Sequence, residues 1–255
     1  MTSALIGYTG FVGSNLARQQ TFDATFNSSN IEQIAGRYFD LIVCAGAPAE
    51  KWKANADPTL DNERIGRLLR ALGQTETQKL VLISTVDVFL NPVDVDEESP
   101  VPMTGLHPYG RHRRQLEELV SARFDAHVIR LPGLYGKGLK KNVIYDFLND
   151  NEVHKIDSRG LFQFYDLDRL SRDITTAIDE KLPLVHLPTE PVSVADVVRA
   201  AFDREFTNEV APTPARYDVQ TRYANLFGGS GRYVENRTTE LAGITAFVAA
   251  ERGAK

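Results

Sequence analysis

Short apolar runs alternate along the first half of the chain with stretches whose apolar residues recur every three or four positions. The runs at 3–7, 23–27, 40–45, 79–84 and 126–130 have the length and the composition of buried strands. Between them, Phe11–Gln19, Ile31–Ile34, Leu60–Leu72 and Tyr109–Val120 read as helices, the third with Ile65, Leu68, Leu69 and Leu72 on one face. Strand and helix in alternation predict an α/β protein built on a doubly wound parallel sheet. The second half is less regular. Helices are expected at Val143–Leu148, Leu167–Ile178 and Val194–Phe202, a strand at Leu184–Leu187, and a lid-like region overall. Pro212-Thr213-Pro214 and Gly228-Gly229-Ser230-Gly231 punctuate the last fifty residues, to which no element is assigned. Residues 90–108 hold four prolines and the acidic run Asp94-Val95-Asp96-Glu97-Glu98, which reads as a surface loop over the carboxyl ends of the strands.

Composition narrows the classes. With 255 residues, 42% of them hydrophobic, the chain can bury a sizeable core. Acidic residues outnumber basic ones 34 to 29, for a net charge of −5, and no basic run suggests nucleic acid or a membrane surface as partner. The first apolar segment, Ala4-Leu5-Ile6, is interrupted by Gly7, too short for a signal core or a membrane span, so a cytoplasmic protein is expected. Cys44 is the single cysteine and lies in an apolar run, which reads as a buried thiol. The five histidines show no metal-site spacing, and no metal is assigned.

Gly7, Gly10 and Gly13 recur every third residue, directly after the first strand and directly before the first helix. Glycine there lets backbone approach a pyrophosphate, and the helix start turns free N–H groups toward it, so the loop is expected to bind a dinucleotide. About twenty residues on, where a carboxylate would hold the ribose of NAD, the chain reads Phe26-Asn27-Ser28-Ser29-Asn30. With no acid and no adjacent arginine, NAD and NADP both stay open, with a lean to NADP.

Tyr109-Gly110-Arg111-His112-Arg113 sets a tyrosine one helical turn ahead of a cation. Residues four apart share a helix face, so the Arg113 charge can favour the ionised phenol of Tyr109. A tyrosine acting near neutral pH needs such help, because its free pKa is about 10.

These residues resemble the extended short-chain dehydrogenase/reductase superfamily, the NAD-dependent epimerases, dehydratases and reductases that act mainly on nucleotide sugars. Asp40–Ala47 looks like the family's strand on the adenosine side of the cofactor. Asp57–Asn62 with Leu68-Leu69-Arg70-Ala71 is similar to the helix that carries a structural asparagine, here Asn62. Leu82–Phe89 resembles the strand that carries a catalytic hydroxyl, here Thr85. Arg130–Gly138 is similar to the segment that packs near the nicotinamide and opens the substrate region. The resemblance implies a Rossmann-type doubly wound sheet, with a dinucleotide domain over 1–132 to which 162–190 returns, and a small substrate-binding region over 133–255. It further implies Thr85, Tyr109 and Arg113 as the catalytic set. The cofactor contacts it implies are Gly7, Thr9, Gly10, Phe11, Val12, Gly13, Asn27, Ser28, Cys44, Ala45, Gly46, Ser84, Tyr109, Arg113, Leu131 and Pro132. Asp87, His107, Lys140, Lys141 and Asn142 are the expected substrate contacts.

One position departs. The family pattern is Tyr-x-x-x-Lys, and Arg113 stands at the lysine. Arginine keeps the charge and the donors but releases no proton. The expected function is NAD(P)-dependent reduction or epimerisation of a nucleotide sugar or related polar metabolite. Arg113 supports the alternative of a dinucleotide-binding sensor or regulatory protein with reduced chemistry. A small-molecule substrate and a homodimeric assembly are the expected partners. Trp52, in Lys51-Trp52-Lys53, reads equally as a cover over the site or as a satellite core contact.

Overall fold

The structure is a computed structural model, and it describes residues 1–253. In chain order the first elements are β1 (Ser3–Ile6), α1 (Phe11–Gln19), β2 (Ala24–Phe26), β3 (Tyr38–Cys44), α2 (Lys51–Ala56), α3 (Pro58–Gly73), β4 (Glu76–Thr85), β5 (Val93–Val95), α4 (Pro108–Arg123) and β6 (Ala126–Leu131). A six-stranded sheet runs in the order Leu184–His186, β6, β4, β3, β1, β2, and the pairs β2–β1, β1–β3, β3–β4 and β4–β6 are parallel. This is a Rossmann-type α/β sheet. Its strands are continuous apolar runs because helices cover both faces, and Leu5, Ile42, Val43, Leu80, Val81 and Leu82 are all fully buried. From β1 the chain steps outward to β2, then crosses back to β3 on the other side. The strand order therefore reverses between β1 and β3, where open sheets of this kind form a crevice at the carboxyl ends.

Two compact units divide the chain. The first comprises 1–91, 99–131 and 168–185; the second comprises 92–98, 132–167 and 186–255. In the first, α3 and α4 pack against the sheet through Ile65, Leu68, Leu72, Leu116 and Val120. Ile31–Ile34 is a single 3-10 turn rather than an α-helix. Leu167–Arg169 likewise forms a 3-10 turn, and the α-helix begins only at Leu170.

The second unit corrects two expectations. The acidic stretch is no open loop: β5 pairs in parallel with Asp218–Val219. Its Glu97 carboxylate accepts from the His186 N–H at 2.8 Å, the Thr221 hydroxyl at 2.6 Å and the Arg222 N–H at 3.0 Å. The last fifty residues also hold an α-helix, Arg237–Gly253, which buries Ile244 and Val248 against Tyr135, Phe164 and Val197. That helix carries Glu240 into the core, where Oε1 accepts the Phe164 N–H at 2.7 Å and Oε2 has no partner. Among the described residues, no helix is long and apolar enough to cross a membrane.

Candidate functional site

The glycine loop occupies the crevice between β1 and β3. Gly7 has a φ of +89°, and a side chain on it would stand 2.3 Å from the Ala45 carbonyl oxygen at the end of β3. Gly13, in the first turn of α1, lies equally close to the loop: a Cβ there would come 2.1 Å from the Gly7 oxygen. Both glycines are therefore required by the packing of strand, loop and helix. Gly10 differs. A Cβ there meets only the Gly7 oxygen, at 3.3 Å, and otherwise enters open space at the start of α1. The loop thus has a tightly built frame and one open position, beside the free N–H groups of a helix start, which suits an anionic ligand.

Around the loop, Thr9 and Gly10 are exposed and Phe11 and Val12 half-buried. At the end of β2, Asn27 and Asn30 fold their side chains onto local backbone: Asn30 Oδ1 accepts the Asn27 N–H at 2.7 Å, and Asn27 Oδ1 accepts the Ser29 N–H at 2.8 Å. Ser28 is exposed between them. Cys44 is fully buried ahead of half-buried Ala45 and Gly46, and burial pushes its thiol up to about 11. Such a thiol is no nucleophile at neutral pH.

Thr85 ends β4, and its hydroxyl accepts the Asp87 N–H at 3.1 Å, which turns the chain into a short 3-10 turn over Val86–Val88. Helix α4 starts against that turn. The His107 ring caps it by accepting the Gly110 N–H at 3.0 Å, Pro108 fills the first turn, and Gly110 packs on the Asp87 carbonyl. Tyr109 is thereby fixed with its phenol close enough to the Thr85 side chain for the threonine to lower its pKa. The two residues that the family resemblance paired are brought together.

Helix α2, which the sequence reading left unassigned, adds two side chains to this place. Asn55 Oδ1 accepts the Tyr109 N–H at 3.0 Å, and Lys51 Nζ lies 2.7 Å from Asp87 Oδ1. Trp52 on the same helix is 67% exposed, so it is not a core contact. His107 is shielded, and burial, then the Lys51 charge, lowers its pKa, while Asp87 acts the other way.

Arg113 is buried, and its guanidinium lies 4.0 Å over the Tyr109 ring. Its donors are turned inward. Nη1 donates to Asp61 Oδ2 at 2.5 Å and to the Tyr109 carbonyl at 3.4 Å, while Nη2 donates to Asp61 Oδ1 at 2.9 Å and to the Pro48 carbonyl. Only the Nε–H has no partner. The ribose contact expected of Arg113 thus meets a guanidinium whose terminal N–H groups are already taken up within the protein. Asp61 also binds His112 Nδ1, at 2.7 Å, which places His112 in the interior rather than toward solvent. Burial pushes the Asp61 carboxyl up, and its hydrogen bonds to Arg113 and His112 more than reverse this, leaving it below its ordinary value.

The inward-facing residue on α3 is therefore Asp61. Asn62, which the resemblance marked as structural, is exposed. For Tyr109 the balance also differs from expectation. Burial pushes the phenol up to about 12; Arg113 and then Thr85 pull it down, while Asp87 and Asp61 push it up. At neutral pH it holds its proton.

Ser84, expected beside the cofactor, donates to Glu117 Oε1 at 2.6 Å within a buried ion pair of Glu117 with Arg130. Leu131 is the β6 partner of Thr85 and is buried, as is Pro132, which begins the next segment of the second unit. Also in that unit, Lys140 and Lys141 are exposed. The Asn142 side chain is used as a helix cap, accepting from the Ile144 and Tyr145 N–H groups and donating to the Leu134 carbonyl.

No family model matches the chain, and no curated protein does. Solved structures do. A dTDP-4-dehydrorhamnose reductase from Clostridium acetobutylicum superposes with a TM-score of 0.74 at 16% identity, over 99% of this chain and 100% of that one. At that identity the likeness shows a shared fold. A UDP-glucose 4-epimerase from Thermotoga maritima, solved with UDP-glucose, gives 0.74 at 16% identity, over 100% and 99% of the two chains. The Bordetella bronchiseptica enzyme WbmH, solved with NAD+, gives 0.75 at 16% identity, over 98% of each. The likeness read from a few motifs thus extends, for the fold, along the whole chain.

Proposed function

We propose that the chain is an NAD(P)-dependent reductase or epimerase acting at a carbinol carbon of a nucleotide sugar or related polar metabolite. The observation that carries this reading is that Thr85 and Tyr109 are brought within reach of each other at the carboxyl end of β4, in a sheet whose β1–β3 crevice holds the glycine loop. The named activities of the structural neighbours support it as well.

The loop suits the cofactor by its open Gly10 position, and Gly7, Thr9, Gly10, Phe11, Val12 and Gly13 would hold the pyrophosphate. Asn27 and Ser28 would meet the adenosine ribose, and the 44–46 segment would line the adenosine side. Bound NAD(P) supplies or accepts the hydride. Tyr109, protonated at neutral pH, gives its proton to the substrate oxygen as a carbonyl is reduced, and Thr85 orients that oxygen. A phenol held this high is present as the acid and seldom as the base, the form that carbonyl reduction uses. Asp87 and His107 stand beside this pair and are the proposed substrate contacts, with Lys140, Lys141 and Asn142 as candidates in the second unit.

A second reading, a dinucleotide-binding sensor, is favoured by the terminal N–H groups of Arg113, which Asp61, Pro48 and the Tyr109 carbonyl take up. Incubation with NADH or NADPH and a panel of UDP- and dTDP-linked keto sugars separates the two. Nicotinamide oxidation supports the enzyme; tight dinucleotide binding with no oxidation on any sugar supports the sensor.

A further inference from the structure

The Arg113 side chain raises a question that the tyrosine mechanism leaves open: a cation 4.0 Å over the ring of Tyr109 is itself bound to a carboxylate. Asp61 grips the guanidinium with both oxygens, at 2.5 and 2.9 Å, and both groups are buried. A planar fork held at two points has one orientation, and here that orientation lays it against the phenol ring. The Pro48 carbonyl closes a third side, and His112 Nδ1, 2.7 Å from Asp61 Oδ2, fixes the carboxylate in turn.

We propose that Asp61 is a positioning residue which, acting through Arg113, holds the guanidinium on the Tyr109 ring and opposes part of its charge there. The inference rests on the reading of Tyr109 as the proton-transferring group. The groups whose charge reaches Tyr109 are Arg113 on its own helix, Asp61 on α3 and Asp87 after β4. Asp87 is itself paired with Lys51 of α2, and His107 stands at the cap of α4. Of these, Asp61 alone touches the cation that faces the ring. Arginine at the motif position and a buried acid on α3 therefore form one device: the arginine brings shape and rigidity, and the acid holds it in place and opposes part of the electrostatic pull that the cation exerts.

The test needs neither substrate nor cofactor, so its failure is distinguishable from failure of the proposed enzyme activity. Difluorotyrosine placed at position 109, more acidic than tyrosine, brings the phenol titration into a range where the fold is intact, and fluorine NMR reads it. In Asp61→Asn the Arg113 charge is no longer opposed by Asp61, and the midpoint is expected to shift to lower pH. An unchanged midpoint in folded Asp61→Asn overturns the proposal. Should that variant not fold, Arg113→Met is compared with Asp61→Asn/Arg113→Met, which leaves no buried charge at the pair. A lower midpoint in the double variant shows the Asp61 charge acting on Tyr109; equal midpoints reduce Asp61 to a packing role and reject the proposal.

Discussion

The Lys51 ammonium lies 2.7 Å from the Asp87 carboxylate, joining helix α2 to the turn that carries Thr85 toward Tyr109. The pair is partly exposed, so it adds little to stability. Its effect is on its neighbours. Lys51 lowers the pKa of His107 and Asp87 raises it. In Lys51→Met its share of the lowering is gone while burial and Arg113 still act, so His107 should titrate at higher pH than in the parent chain. A histidine ring-proton NMR titration reads this directly, and an unmoved His107 midpoint would separate Lys51 from the site.

The glycine loop predicts two different failures. A Cβ at Gly13 stands 2.1 Å from a backbone oxygen that cannot yield, so Gly13→Ala should lower the melting temperature clearly. At Gly10 the space beyond one 3.3 Å contact is open. Gly10→Val should keep most of the stability and abolish dinucleotide binding by calorimetry. Undiminished affinity in Gly10→Val would take the loop out of the cofactor site.

Cofactor choice should be weak. Asn27 and Asn30 turn their side-chain oxygens to local backbone, and neither a carboxylate nor an arginine occupies positions 27–30. NAD and NADP affinities should then differ by less than about 3 kcal/mol, the scale of one charge-assisted contact. Titration with each dinucleotide checks this, and a preference of many thousandfold would contradict it.

Much of the sheet was legible in the chain because buried strands are short apolar runs and their covering helices show the 3.6-residue period. Helix α2 was not. Lys-Trp-Lys-Ala-Asn-Ala buries only Ala54, so it carries no apolar stripe, and it is held by its contacts to Asp87 and Tyr109. The C-terminal helix was obscured by the glycines and prolines before it, although Leu241, Ile244 and Val248 do fall on one face. At the site, the sequence named Thr85 and Tyr109 as a pair because their segments resemble known ones. Asp61 was missed by one position: a single residue turns a helix by about 100°, and this separates the buried acid from exposed Asn62. Likewise the sequence shows that Arg113 can approach Tyr109, but the opposing effect of burial depends on tertiary packing.

Glu240 predicts a pH dependence of stability. Burial raises its carboxyl well above the ordinary value, with Glu235 and Glu190 acting in the same direction. The folded state therefore keeps a proton that the unfolded chain gives up. Stability from this group is full below the unfolded pKa of about 4.5 and is lost as pH rises toward the folded pKa. Glu240→Gln, which keeps an oxygen for the Phe164 N–H, should remove this slope and gain stability over the parent chain at pH 8 relative to pH 4. Parallel melting curves for the two proteins across that range would show that Glu240 does not contribute.

The central claim is that Tyr109 delivers the proton. Its hydroxyl is needed for chemistry and contributes little to holding a dinucleotide, so Tyr109→Phe should bind NAD(P)H with the affinity of the parent chain and lose roughly 10²–10⁴-fold in rate. The direct measurement is single-turnover hydride transfer, followed by nicotinamide absorbance, for the parent chain and Tyr109→Phe on a keto sugar that the parent reduces. Intact binding with that loss of rate is the predicted result. Full hydride transfer in Tyr109→Phe would contradict it.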